Sequence, residues 1–278
     1  MKKISSSLLL YFAIVLIAGC VDLQKVNDFS SASVKSIQGF ESLSYSYKQA
    51  SADVAKLECL NKQQLTIDSQ LYHSELSNLA DSQTTLLYNS IKAFFSALTN
   101  LSSNSLTTYK YDTLSKALIK AKFADSTANS YAHLANILTR AIADEYRKHH
   151  IKKFIKEAAP DIIILLNTLI STLDNDLKGR IETVKARARD FYTGVYDTTR
   201  SGYERIELSR EYNSEIESLN NIESKISVYT RGLGKIVTAF KQLSDNIDRV
   251  SADDLKKILS TYISNINDII SEFNKLKK

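Results

Sequence analysis

Proline and glycine are what this chain most does without: one proline and seven glycines in 278 residues, against roughly 5% and 7% in average usage. Tight turns draw on these two residues, one for its preset φ and the other for its access to positive φ. A fold of many short strands is thereby excluded. Few, long elements remain, and at this length that means helices. Tryptophan is absent and there are only four histidines. Di-iron bundles place Glu-x-x-His on paired helices, but the residues three before His73, His133, His149 and His150 are Gln70, Ser130, Tyr146 and Arg147. No two histidines stand four apart, which excludes a two-His zinc helix. Glu145 and His149 do stand four apart and read as a surface pair. There is no glycine-rich phosphate loop and no nucleophile elbow. A non-catalytic protein is expected, with no metal site and no cofactor.

What is present begins at the N-terminus. Met1-Lys2-Lys3 is basic, Leu8 to Ile17 is an apolar stretch, and Ile17-Ala18-Gly19-Cys20 follows. The stretch suits a signal h-region and is too short to span a bilayer. Small residues before the cysteine suit a peptidase cleft, and the thiol is a nucleophile for a diacylglyceryl group. In this order the elements resemble the lipobox of bacterial lipoproteins. The resemblance implies a signal peptide over residues 1–19, acylation (palmitate included) at Cys20, and a mature protein held on a membrane by its lipid. Each buried methylene of such a chain contributes roughly 0.8 kcal/mol. In Gram-negative lipoproteins an Asp directly after the cysteine favours inner-membrane retention. Val21 stands there, with Asp22 one later, so the resemblance implies the outer membrane.

The chain carries a formal +5. Lys2 and Lys3 leave with the leader and no acid lies within residues 1–20, so 34 basic residues face 31 acidic ones and the mature charge is +3. That is too mild to require a nucleic-acid partner. With Cys20 acylated, Cys59 has no intramolecular partner. It lies off the main apolar stripe and reads as a small residue packed against a neighbouring helix.

Residues 20–33, polar and serine-containing, read as the lipidated N-terminus and a tether, and residues 34–278 as the helical domain. From Val34, apolar residues recur in steps of three and four or their sums (Ile37, Leu43, Tyr47, Ala50, Val54, Leu57), which predicts one helix continuing toward Leu79, with an interruption near Asn61. Thr84 to Leu101 is a second, facing inward through Leu87, Ile91, Phe94, Phe95 and Leu98. Tyr111 to Lys122 is a short helix, and another runs from Asp125-Ser126 to about Ala158. Pro160 suits a helical first turn, so a new helix is expected there. Its stripe from Leu166 to Val195 averages about 3.6 residues per turn, and a run to Thr199 would be roughly 60 Å long. A long helix from Tyr203 to Ile247 follows, and Ser251 with Asp253 and Asp254 caps the last. The expected architecture is an all-α, elongated bundle of five to seven helices. The stretch Ile137-Leu138-Thr139-Arg140-Ala141, then Tyr146-Arg147, the run into Pro160, the long helix and the Ser251–Asp254 start resemble a group of uncharacterised, all-helical bacterial lipoproteins. That resemblance implies a helical fold and brings no activity.

Two surfaces are candidates for contact. Arg147, Lys148, Lys152, Lys153 and Lys156, with His149 and His150, form the densest basic segment. It reads as the last turns of a helix, where cations complement the dipole, and as a contact for anionic lipid or an acidic envelope protein. Tyr192, Tyr196 and Tyr203 fall within about 40° of one another on a helix and border its apolar stripe. The preferred function is a binding or scaffolding module at the bacterial envelope. The alternative is a membrane-active, pore-forming protein, for which Ile162 to Leu173 is the best uncharged segment. Oligomeric state is left open.

Overall fold

The computed structural model describes residues 23–62, 75–103, 127–130, 132–134, 136–137, 147–248 and 252–276. Those residues form helices and turns with no strand among them, an all-α bundle. In chain order the helices are α1 (Leu23–Ile37), a 3-10 turn (Gln38–Ser42), α2 (Tyr47–Asn61), α3 (Glu75–Ser102) and α4 (Arg147–Ser171). A π turn (Thr172–Leu177), α5 (Lys178–Thr198), α6 (Gly202–Asn246) and α7 (Ala252–Lys275) complete them. Cys20, the short helix expected at Tyr111–Lys122, the Asp125-Ser126 start and Ser251 lie outside the described residues.

The segment expected to be a tether is helical from Leu23 onward. Residues 23–33 belong to α1, and Val26, Phe29, Ser30, Ala32 and Ser33 are buried. The serines that made the segment look like a linker serve it as small residues, letting α1 lie close to α3, α6 and α7. Their hydroxyls donate back to the helix, Ser30 Oγ to the Asn27 carbonyl at 3.0 Å and Ser33 Oγ to that of Phe29 at 2.9 Å. Burial therefore strands no polar group. Asn27 Nδ2 donates to the Thr99 carbonyl at 2.6 Å, tying α1 to the end of α3.

The helix expected to run from Val34 to an interruption near Asn61 is in fact two. α1 gives way to the 3-10 turn and to an irregular link at residues 43–46, with Ser44 at φ 53°. Ser46 caps α2, its Oγ accepting the Gln49 amide at 3.2 Å. The apolar spacing hid the break because the step from Ile37 to Leu43 spans six residues and both are buried core residues regardless. α2 ends at Asn61, where an interruption was expected.

Pro160 lies inside α4, not at a helix start as expected. A proline in a helix costs about 3 kcal/mol through a lost hydrogen bond and a clash. Ile151, Ile155, Ala158, Ile162, Leu165 and Leu166 are buried on both sides of it, along one continuous face. At roughly 1.5–3 kcal/mol for each large side chain, that face outweighs the proline, whose ring sits on the exposed side.

The expected regular stripe beyond Pro160 contains an irregularity. Leu165, Leu169, Leu173, Leu177 and Ile181 are all buried and recur every fourth residue. At 100° per residue, each such step overshoots a turn by about 40°, so the stripe would wind off the core. The π turn at Thr172–Leu177, with its wider i→i+5 bonding, brings it back. α5 and α6 then form a long antiparallel pair. The fully buried residues of α5 end at Ala188 and those of α6 begin at Leu219, so the connected end of the pair has no fully buried side chain. Phe94, Phe95 and Phe240 meet edge to face in the bundle core at 5.2–5.6 Å, and Phe29 adds an edge to Phe95 at 6.1 Å.

Candidate functional site

The basic segment lies within α4, which continues beyond Lys156 for fifteen residues to Ser171. The reading of it as a helix C-terminus is therefore corrected: its carbonyls are bonded within the helix, and there is no negative helix end for the cations to complement. Lys152 is half-buried and Lys153 exposed. Lys156 forms an ion pair with Asp248, just past α6, and so braces two elements of the bundle. Of Arg147 and Lys148 only the helical backbone is described. Farther along this helix Asp161 Oδ2 approaches His133 Nδ1, which lies outside the helix, to 2.5 Å.

The tyrosines expected on one face are divided by the turn at residues 199–201. Tyr192 packs against Phe191 and Tyr212, with centroids 5.1 and 5.6 Å away. Burial, and then the Glu215 carboxylate, pushes its phenol up to about 12. Tyr196 lies under the Arg205 guanidinium at 5.0 Å. That guanidinium also donates from Nε to the Thr199 carbonyl at 2.8 Å, closing the turn. Tyr192, Tyr196 and Tyr212 share a shallow cleft of about 170 Å³ with Arg189 and Leu208. Tyr203 does not join it. It is 73% exposed, as is Ile206 at 54%.

A larger cleft, of about 430 Å³, was not apparent from the sequence. It opens where the 3-10 turn, the 43–46 link, α3 and the π turn meet. Leu43, Tyr47, Thr84, Leu173 and Leu177 are its buried members, and Glu41, Ser44, Gln49 and Thr85 are exposed. Each charged group there is already engaged. Glu41 accepts the Tyr88 hydroxyl and Lys92 Nζ, the latter at 2.8 Å. These contacts, Lys92 first, hold its carboxyl below the usual range. Asp81 accepts the backbone amides of Tyr47 at 2.8 Å and Lys48 at 3.0 Å, an anion on the positive end of α2. Tyr45 donates to Asp53 at 2.8 Å. Burial and that carboxylate push its phenol far above its ordinary value. Tyr47 donates to the Thr172 carbonyl at 2.6 Å, so the start of α2, directly after the link, is fastened to the first residue of the π turn. One signal could have disclosed this place. Ser46-Tyr47-Lys48-Gln49 has the Ser-x-x-Gln spacing of a capping box, and marks a helix start inside what the apolar spacing made one helix.

Among the described residues no group of three or more His, Cys, Asp or Glu could hold a metal ion, and no helix is long and apolar enough to cross a membrane. Compared with protein-family models, with curated proteins and with solved structures, the chain matches none.

Proposed function

We propose that this protein is a lipid-anchored helical module of the bacterial envelope that acts by binding and not by catalysis. The order of elements through Cys20 supports the anchor, and Val21 supports the outer membrane over the inner in a Gram-negative cell. The observation that carries the binding reading is the 430 Å³ cleft, whose carboxylates are committed to hydrogen bonds inside the fold. A general acid or base must be able to exchange its proton with a substrate. Glu41 and Asp81 are instead occupied as acceptors, which supports reading the cleft as a binding surface.

Lys152 and Lys153, with Lys148 earlier in α4, remain the proposed contact for anionic headgroups or an acidic envelope protein. Lys156 is the weakest member of that set, since it already has Asp248. The pore-forming alternative has less support. Ile162, Leu165, Leu166, Leu169 and Leu173, all in its candidate segment, are core residues that would have to leave the bundle.

The test is metabolic labelling with a fatty-acid analogue, followed by crosslinking of the native protein to its envelope neighbours. The wild-type chain takes the label and Cys20→Ala does not. Equal labelling of the two overturns the anchor. A lipid-anchored protein that crosslinks to no envelope protein and retains no envelope glycan overturns the binding reading.

A further inference from the structure

We propose that the cleft between the 43–46 link, α3 and the π turn binds an uncharged saccharide, an assignment that rests on the reading of the protein as an envelope binding module. Its volume of about 430 Å³ falls in the range of roughly 300–1,000 Å³ usual for small-molecule sites. The half-buried rings of Phe40 and Tyr45 supply the accessible apolar surface, backed by the buried Leu43, Leu173 and Leu177. A pyranose has an apolar C–H face that such surface accepts and a hydroxyl periphery that needs hydrogen-bonding partners.

Charge narrows the class. No Lys, Arg or His lines the cleft, so an anionic ligand would lose its hydration with no counter-charge to replace it. A cationic ligand would share Glu41 with Lys92 and Asp81 with the amides of Tyr47 and Lys48, which already balance part of their charge. Beside these carboxylates stand neutral groups. The hydroxyls of Ser44 and Thr85 make no hydrogen bond to a described residue, and neither do the backbone amides of Ser44, Tyr45 and Ser46. Neutral donors and acceptors around an apolar floor fit a polyol.

The backbone at this cleft is also irregular in two independent ways. Ser44, a residue with a Cβ, is held at φ 53°, the one positive φ among the described non-glycine residues. The π turn contributes Leu173 and Leu177. Single π turns and left-handed non-glycine residues are costly, persist where surrounding structure holds them, and concentrate at functional sites.

The experiment uses the full chain in nanodiscs of zwitterionic lipid, which avoids sugar-based detergents. Cello-, malto- and chito-oligosaccharides are the neutral probes, and uronic-acid oligomers the anionic ones, with binding read by calorimetry and saturation-transfer NMR. At least one neutral series binds. Thr85→Trp, which places a large ring at the rim from the exposed face of α3, weakens it by roughly tenfold or more. Gln49→Trp repeats the block from α2, and thermal melting monitored by circular dichroism verifies that each variant folds. Binding of the anionic probes alone, binding of no probe, or neutral binding indifferent to both Trp variants overturns the proposal. A crosslinked envelope protein partner alongside a negative saccharide panel overturns it while leaving the binding-module reading in place.

Discussion

Replacing Tyr47 by Phe isolates the hydrogen bond that joins the start of α2 to the π turn. The hydroxyl donates to the Thr172 carbonyl at 2.6 Å, and the residue is buried. Phenylalanine keeps the ring, and the amides of Tyr47 and Lys48 keep their bonds to Asp81. What is lost is one hydrogen bond, worth about 0.5–1.5 kcal/mol net, or up to about 3 kcal/mol if the carbonyl is left with no partner. Water can reach the partly buried Thr172 carbonyl, which places the expected loss near 1–1.5 kcal/mol. For a domain of this size that is a fall in Tm of about 2–5 °C. The change is also local. Amide exchange should quicken across Thr172–Leu177 and at Tyr47 and Lys48, and remain as in wild type around Phe94, Phe95 and Phe240. Circular dichroism melts and hydrogen-exchange mass spectrometry measure the two effects. An unchanged Tm together with unchanged exchange at the π turn would refute the claim that this hydroxyl holds the turn in place.

Phe240→Ala should cost about 3–5 kcal/mol in a denaturant titration, because it empties a fully buried site and removes edge-to-face partners from Phe94 and Phe95. The glycines of α6 should diverge in sign. Gly234→Ala meets open space and should gain about 0.5–1 kcal/mol from helix propensity. Gly232→Leu should lose about 1–3 kcal/mol by overpacking, since even a Cβ there would lie 3.0 Å from Ser36 Oγ and 3.2 Å from Ile269 Cγ2. Stability should be insensitive to tyrosine ionisation at neutral pH and fall above about pH 10. The phenols of Tyr45, Tyr47, Tyr88, Tyr192 and Tyr229 are all raised in the folded state, chiefly by burial. The unfolded chain therefore releases those protons first as the pH climbs. Tyrosinate absorbance followed through alkaline denaturant melts checks this: the buried phenols should ionise together with unfolding, and free titration in the folded state would contradict it.

Helical class was legible in the sequence because it rests on local properties. One proline and seven glycines leave little turn chemistry. The inward face of α3, through Leu87, Ile91, Phe94, Phe95 and Leu98, was read correctly from its spacing, and all five are buried. Leu219, Tyr229, Leu233, Ile236, Phe240 and Leu243 of α6 are buried in the same way. A helix must place its apolar residues on one side whatever it packs against. Three features depended on the partner. The serines of α1 are linker-like by composition and become core only because other helices come close enough to use small side chains. Pro160 ends a helix by propensity, and the buried face running past it overrides that preference. The cleft draws residues from positions 40–49, 81–85 and 173–177, which nothing local connects. Its link carried a capping signal at Ser46, but the π turn that completes it arises from a stripe with a period of four that must stay on the core. That constraint comes from the neighbours of α4 and α5 and can be met only in the assembled bundle.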